Sequence, residues 1–218
     1  MKILEPSLLA FNPDQIPYEL ERMKAAGAHI IHYDVMDGKF VNNTTPYETK
    51  YLKLISKLNL KSDVHLMVND VRQAIHTFLK HPVYALSFHV EACSDNASII
   101  ENLNLIKANH VLAGVAINPN TNAKKYKEVF AQCDFVNIMS VMPGYAGQKF
   151  LTKSMPNIKY IKKQLKKHPH KMYCVLDGGV NAEVIKKTKK YINRYVSGSF
   201  LLKCPDPHAL FVQIRQTS

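Results

Sequence analysis

Long hydrophobic runs are missing from this 218-residue chain. None approaches the roughly 18 residues that a membrane helix requires, and the first residues lack the charged, apolar and small-residue succession of a secretory signal. A cytoplasmic protein is expected. Close cysteine pairs are missing too. Cys93, Cys133, Cys174 and Cys204 stand far apart with no C-x-x-C spacing, which argues against a zinc ribbon or a redox dithiol. Three of them adjoin apolar stretches and read as buried thiols in a reducing compartment. Low-complexity segments, composition shifts and linkers are also absent, and a hydrophobic content of 46% excludes disordered and fibrous classes. One domain spanning residues 1–218 is expected.

Acidic residues are outnumbered, 17 against 29 basic ones, for a formal charge of +12. A basic stripe is the footprint of nucleic-acid binding. Here the lysines gather at Lys159 to Lys171 and Lys186 to Lys190, within helical spacing and without interleaved stacking aromatics. They read as solvated helix faces whose field also favours an anionic substrate. Neither nucleic acid nor membrane is expected as a partner. A small anionic molecule is, along with further copies of the chain in a homo-oligomer.

What is present is a regular alternation. Short β-rich runs recur at Ile3–Ala10, His29–Val35, Ser62–Met67, Tyr84–Val90, Val111–Ile117, Phe135–Met139, Met172–Leu176 and Tyr195–Ser197. Between them lie helical spacings: Ile16, Leu20, Met23 and Lys24 before Gly27; Leu52, Ile55 and Leu58; Ile99, Ile100, Leu103 and Ile106. Asp70, Asp95 and Asn181 suit the N-cap positions of the helices that follow. Alternating strand and helix predicts parallel β/α units, and eight strands suit a closed (β/α)8 TIM barrel better than an open doubly wound sheet.

In such a barrel every strand end opens on one rim, so residues remote in sequence meet there. His32 and Asp34 share one face of the second strand, with the Asp37-Gly38 turn beyond them; His65 ends the third strand, Met139 the sixth and Asp177 the seventh. Alone, each is ordinary: a strand-end His is usually structural, and an Asp before Gly-Gly usually makes a turn. Together they would be costly to bury unless a metal or substrate compensates them. Two imidazole nitrogens and two carboxylate oxygens suit one divalent ion: Zn, Mn, Co or Fe(II). Further along, Pro143-Gly144-Tyr145-Ala146-Gly147-Gln148, Gly178-Gly179 and Gly198-Ser199 offer bare backbone after the sixth, seventh and eighth strands. Barrel enzymes commonly bind phosphate there, and the sixth loop is long enough to close over a substrate.

Pro6-Ser7, the run from His32 through Val41, Asp63 through Val68, His89 through Ala92, Met139-Ser140-Val141, Asp177-Gly178-Gly179 and Gly198-Ser199 closely resemble the ribulose-5-phosphate 3-epimerase family, in the right order from about residue 3 to residue 202. The chain departs from the family's usual pattern at Ala10–Pro13, at Asn42–Pro46, at Met142 and Ala146, and at Phe200–Lys203. The resemblance implies a pentose-phosphate-pathway isomerase whose metal is held by His32, Asp34, His65 and Asp177. Asp34 and Asp177 would double as the two proton-transfer groups. Ser7 and His65 would contact substrate, Met36, Met67 and Met139 would line the reacting carbons, and Gly144, Tyr145, Ala146, Gly147, Gly178, Gly179, Gly198 and Ser199 would hold the phosphate end. The runner-up is an epimerase of a six-carbon ketose phosphate such as allulose 6-phosphate. A phosphate-binding lyase is less favoured, because such enzymes usually carry a strand-end Lys, and Lys39 lies beyond its turn.

Overall fold

Parallel pairing organises the chain. The computed structural model describes residues 1–45, 49–166 and 172–217. Within them run β1 (Ile3–Pro6), β2 (Ile30–Met36), β3 (Lys61–Met67), β4 (Ala85–His89), β5 (Leu112–Ile117), β6 (Phe135–Met139), β7 (Tyr173–Asp177) and β8 (Arg194–Ser197). Each strand pairs in parallel with the next from β2 to β8, and β8 pairs with β1. The remaining seam, between β1 and β2, is spanned by a single parallel bridge from Ser7 to His32. The result is a nearly closed (β/α)8 TIM barrel.

Helices follow the strands: α1 (Ile16–Ala26), α2 (Leu52–Lys57), α3 (Val71–Phe78), α4 (Asn96–Ala108), α5 (Lys127–Phe130), α6 (Met155–Leu165), α7 (Ala182–Thr188), α8 (Ser199–Leu202) and α9 (Pro207–Gln216). The expected caps are in place: Asp70, Asp95 and Asn181 accept hydrogen bonds from the backbone N–H of Gln73, Ser98 and Val184. Each satisfies an amide that the first helical turn leaves unpaired, worth about 1 kcal/mol. α1 buries Ile16, Leu20, Met23 and Ala26 and stops at Gly27, whereas Lys24 is exposed, so the helix face is narrower than its spacing implied.

Three other expectations need correction. The first strand stops at Pro6 instead of running to Ala10. Leu8–Ala10 form a 3-10 turn, closed by the Ala10 N–H donating to the Ser7 carbonyl. Only Cys133 and Cys174 are buried, where burial pushes the Cys174 thiol up to about 12; Cys93 and Cys204 are half-buried, and all four are free. The third strand begins at Lys61, one residue before the expected run from Ser62, with Ile30 opposite Lys61. The basic faces of α6 and α7 are exposed at Lys159, Lys163, Lys166, Lys186, Lys187, Lys189 and Lys190, as solvated helix surfaces should be. Lys167 and Lys171 of that run, and Pro46, lie outside the described residues. No described helix is long and apolar enough to cross a membrane.

Two apolar layers carry the fold. Residues on the outward strand faces, such as Ile31, Tyr33, Val64, Leu66, Phe88, Val115, Ile138 and Leu176, pack under the helices in one continuous core. Inside the barrel, Ala85, Phe135, Val175 and Val196 form a separate plug. The plug is tight: a methyl added at Gly114 would stand 2.5 Å from the Phe135 ring. Because strand side chains alternate, the inward positions above this plug fall to polar residues, and these build the site.

Candidate active site

Register sets the site. Asp34 on β2 lies opposite His65 on β3, His32 opposite Asp63, and Met139 on β6 opposite Asp177 on β7. All six point into the barrel mouth or just beneath it. His65 Nδ1 lies 3.2 Å from Asp34 Oδ1 and 3.3 Å from Asp177 Oδ2. His32 Nε2 lies 3.4 Å from Asp34 Oδ1 and 3.3 Å from Asp177 Oδ2. Ser7 Oγ donates to Asp34 Oδ2 at 3.0 Å, and Asn137 Nδ2 donates to Asp177 Oδ2 at 3.4 Å. One donor atom from each of His32, Asp34, His65 and Asp177 falls within 4.8 Å of all the others.

The electrostatics follow from burial opposed by charge. Burial disfavours the charged form of every one of these groups, yet the carboxylates of Asp34 and Asp177 outweigh it and hold His32 well above the usual imidazole range. The same two carboxylates hold His65 up. In return, with burial again opposing, His32 pulls Asp34 down to about 2 and Asp177 lower still. The group therefore wants a cation among its oxygens.

A divalent ion fits that demand. His32 Nε2 is fully buried and makes no well-angled hydrogen bond, although two carboxylate oxygens stand against it. A proton on the ring relieves one such contact; a divalent cation serves all four donors at once. A tetrahedron with bonds of about 2.0–2.1 Å has edges of about 3.4 Å. The four nitrogen–oxygen separations are 3.2 to 3.4 Å. A second convergence, of Glu5, His32 and Asp63, is different in kind. There the Arg194 guanidinium already bonds Glu5, and reaches Asp63 Oδ2 at 2.6 Å.

Asp34 and Asp177 line the floor of a cleft that opens to solvent at its mouth, with His32 and His65 buried behind them. Its wall brings together Ser7, Asp34, Met67, Met139, Gly144, Tyr145, Ala146, Gly147, Asp177, Gly178, Gly179, Gly198 and Ser199. Met36 is placed otherwise: it packs with Val41 and Met67 in a small apolar cluster beside the cleft. His32 and His65 are wholly buried and face the cleft only through the carboxylates. No lysine stands among the described lining residues, and Lys39 is exposed.

The glycine turn after β7 is fixed by close approach. Gly179 has φ +63, and a Cβ there would stand 2.3 Å from the backbone nitrogen of Phe150. Gly179→Ala is expected to cost about 1–3 kcal/mol, the usual range for overpacking, read as a lowered denaturation midpoint. Opposite that turn, the sixth loop is tied to the second: Asn43 Nδ2 donates to the Gly144 carbonyl at 2.8 Å, and the Tyr145 hydroxyl to the Asn42 carbonyl at 3.1 Å.

Reasoning from sequence missed several contributors. Asn137 stands two residues before Met139 on the same inward face, which was the available signal. Arg194 lay just outside the expected eighth strand, and its partners Glu5 and Asp63 are too remote in sequence to signal its burial. His89, half of a strand-end His-x-Glu pattern, places Nε2 at 3.0 Å from His65 Nε2.

The sequence pattern of the ribulose-phosphate 3 epimerase family matches residues 3–202. The chain is 37% identical over 181 residues to the ribulose-phosphate 3-epimerase of Bacillus subtilis (strain 168), covering 82% of this chain and 81% of that one. It is 34% identical over 190 residues to the enzyme of the same name from Aquifex aeolicus (strain VF5), covering 85% and 84%. Among solved structures, a mutant tryptophan synthase alpha-subunit from the hyperthermophile Pyrococcus furiosus superposes with TM-score 0.67 at 13% identity, over 99% of this chain and 97% of that one. At that identity the likeness is one of fold.

Proposed function

The chain belongs to the ribulose-phosphate 3 epimerase family, and from that premise we propose that it interconverts D-ribulose 5-phosphate and D-xylulose 5-phosphate with one divalent metal, Zn, Mn, Co or Fe(II), held by His32, Asp34, His65 and Asp177. The observation that carries this reading is the meeting of two carboxylates from β2 and β7 with two imidazoles, beneath a cleft whose far wall is glycine backbone.

Epimerisation beside a ketone removes a proton from C3 on one face and returns one on the other, by way of a 2,3-enediolate. Asp34 and Asp177 take these parts, one as base and one as acid, exchanging roles for the reverse reaction; such help contributes about 10²–10⁴-fold. A bound divalent metal supplies Lewis-acid stabilisation of negative charge developing on the sugar oxygens. Ser7 donates to Asp34 and Asn137 to Asp177, which orients both carboxylates before substrate arrives. Met67 and Met139 offer polarisable, proton-free surfaces to a flat intermediate. The backbone at Gly144–Gly147, Gly178–Gly179 and Gly198–Ser199 receives the phosphate, whose approach the net charge of +12 favours.

Chelation tests the reading. Dialysis against a strong chelator is expected to abolish turnover of ribulose 5-phosphate, and added Zn²⁺, Mn²⁺, Co²⁺ or Fe²⁺ to restore it. Full activity in verified metal-free protein would remove His32 and His65 from the ligand set. Running five- and six-carbon ketose phosphates side by side reads the chain length that the cleft accepts.

A further inference from the structure

His89 and Glu91 take no part in the chemistry above, yet they continue it outward in one line. His65 turns Nδ1 toward Asp34 and Asp177, and its other nitrogen, Nε2, lies 3.0 Å from His89 Nε2. His89 Nδ1 in turn lies 3.0 Å from Glu91 Oε2. Glu91 Oε1 accepts the backbone N–H of Asn118 at 2.8 Å, and the Thr121 side chain also hydrogen-bonds this carboxylate. His89 is completely buried, so no solvent can rearrange the line at its centre.

Each link admits one arrangement of protons. A carboxylate only accepts, so Glu91 requires the proton of His89 on Nδ1. Two nitrogens 3.0 Å apart have room for one proton between them. With His89 Nε2 bare, that proton belongs to His65 Nε2. The Nδ1 of a neutral His65 is then bare and directed at the two carboxylates. We propose that Glu91 is a positioning residue for the metal centre: acting through His89, it fixes the His65 tautomer that leaves Nδ1 free to ligate. This rests on the reading of His65 as a metal ligand. It deepens that reading by assigning a role to a residue two side chains away from it.

Glu91→Gln is an informative variant because the backbone dictates its orientation. The Asn118 N–H can only donate, so the amide oxygen takes that side and the amide NH₂ faces His89. Polarity then reverses along the line: His89 Nδ1 becomes bare, its Nε2 carries the proton, and His65 Nε2 accepts it. His65 is left with a proton on Nδ1, where the metal should be. Loss of an outer hydrogen-bond partner of this kind typically costs 10–100-fold in metal affinity.

The experiment has two readouts, neither of them turnover. Ring ¹⁵N NMR of the metal-free protein, at a pH where His65 is neutral, is expected to show His89 protonated on Nδ1 in the wild type and on Nε2 in Glu91→Gln. Competition titration with Zn²⁺ alone is expected to show affinity about 10–100-fold weaker in Glu91→Gln, and largely recovered in Glu91→Asp, which keeps an acceptor. A wild-type His89 carrying its proton on Nε2 overturns the proposal without any variant. So does a folded Glu91→Gln that binds Zn²⁺ as tightly as wild type. Wild-type protein that binds no Zn²⁺, Mn²⁺, Co²⁺ or Fe²⁺ overturns the metal reading itself, a separate result.

Discussion

Replacing Asp177 with Asn is expected to leave the barrel folded and to lower exchange of the C3 proton of ribulose 5-phosphate with solvent by about 10²–10⁴-fold, the usual contribution of a positioned acid or base. Asn has the same shape, and its amide oxygen still suits the contact from Asn137 Nδ2. What disappears is the negative charge facing His32 Nε2 at 3.3 Å and His65 Nδ1 at 3.3 Å, and with it the ability to hold a proton in transit. Deuterium uptake at C3 in D₂O, followed by NMR, isolates this step from product release. Uptake near the wild-type rate, in a variant whose thermal transition is unchanged, would remove Asp177 from the proton-transfer pair.

The largest expected loss of stability lies one layer deeper. Arg194 is 2% exposed and holds two buried carboxylates, Glu5 and Asp63. Burial opposes ionisation of both. It pushes Glu5 up to about 7 against the pull of Arg194, while that same guanidinium is strong enough to hold Asp63 below its usual range. Arg194→Leu would strand these carboxylates in the barrel interior. Removing one partner from a buried ion network costs about 3–5 kcal/mol. At roughly 2–4 °C per kcal/mol for a domain of this size, the melting temperature should fall by about 6–20 °C. Adding Glu5→Gln and Asp63→Asn to Arg194→Leu should recover part of the loss, since neutral amides no longer carry the stranded charge. A single Arg194→Leu variant melting with the wild type would show that the network contributes nothing net.

Strand ends and helix caps were legible in sequence because both are local. A cap needs only a short acceptor side chain three residues before the amide it serves, as at Asp70, Asp95 and Asn181. Likewise, period-two alternation alone places His32 and Asp34 on one face. Convergence of His32, Asp34, His65 and Asp177 followed once a closed barrel was assumed, because closure sends every strand end to one rim. What escaped depends on partners far along the chain. Ser7 to Ala10 is apolar enough to read as strand, but the seventh residue donates its amide to Ser197 and the backbone then turns. Arg194 is interpretable only with Glu5 and Asp63 beside it. Met36 shows the limit of counting in twos: its position is inward, but its side chain packs with Val41 and Met67 beside the cleft.

The seam between the first two strands has a mechanical consequence. Every other pair of neighbouring staves is laced along several residues, whereas the backbone pairing here is one bridge, from Ser7 to His32. Ser7 also clasps Asp34, so the fastening and the floor of the cleft are the same few atoms. Anything that grips Asp34 and Asp177 together reaches from the second stave across the first and eighth to the seventh, as a hoop does on a cask. A ligand held by both carboxylates is therefore expected to raise the melting temperature, since what binds the folded barrel alone stabilises it against unfolding.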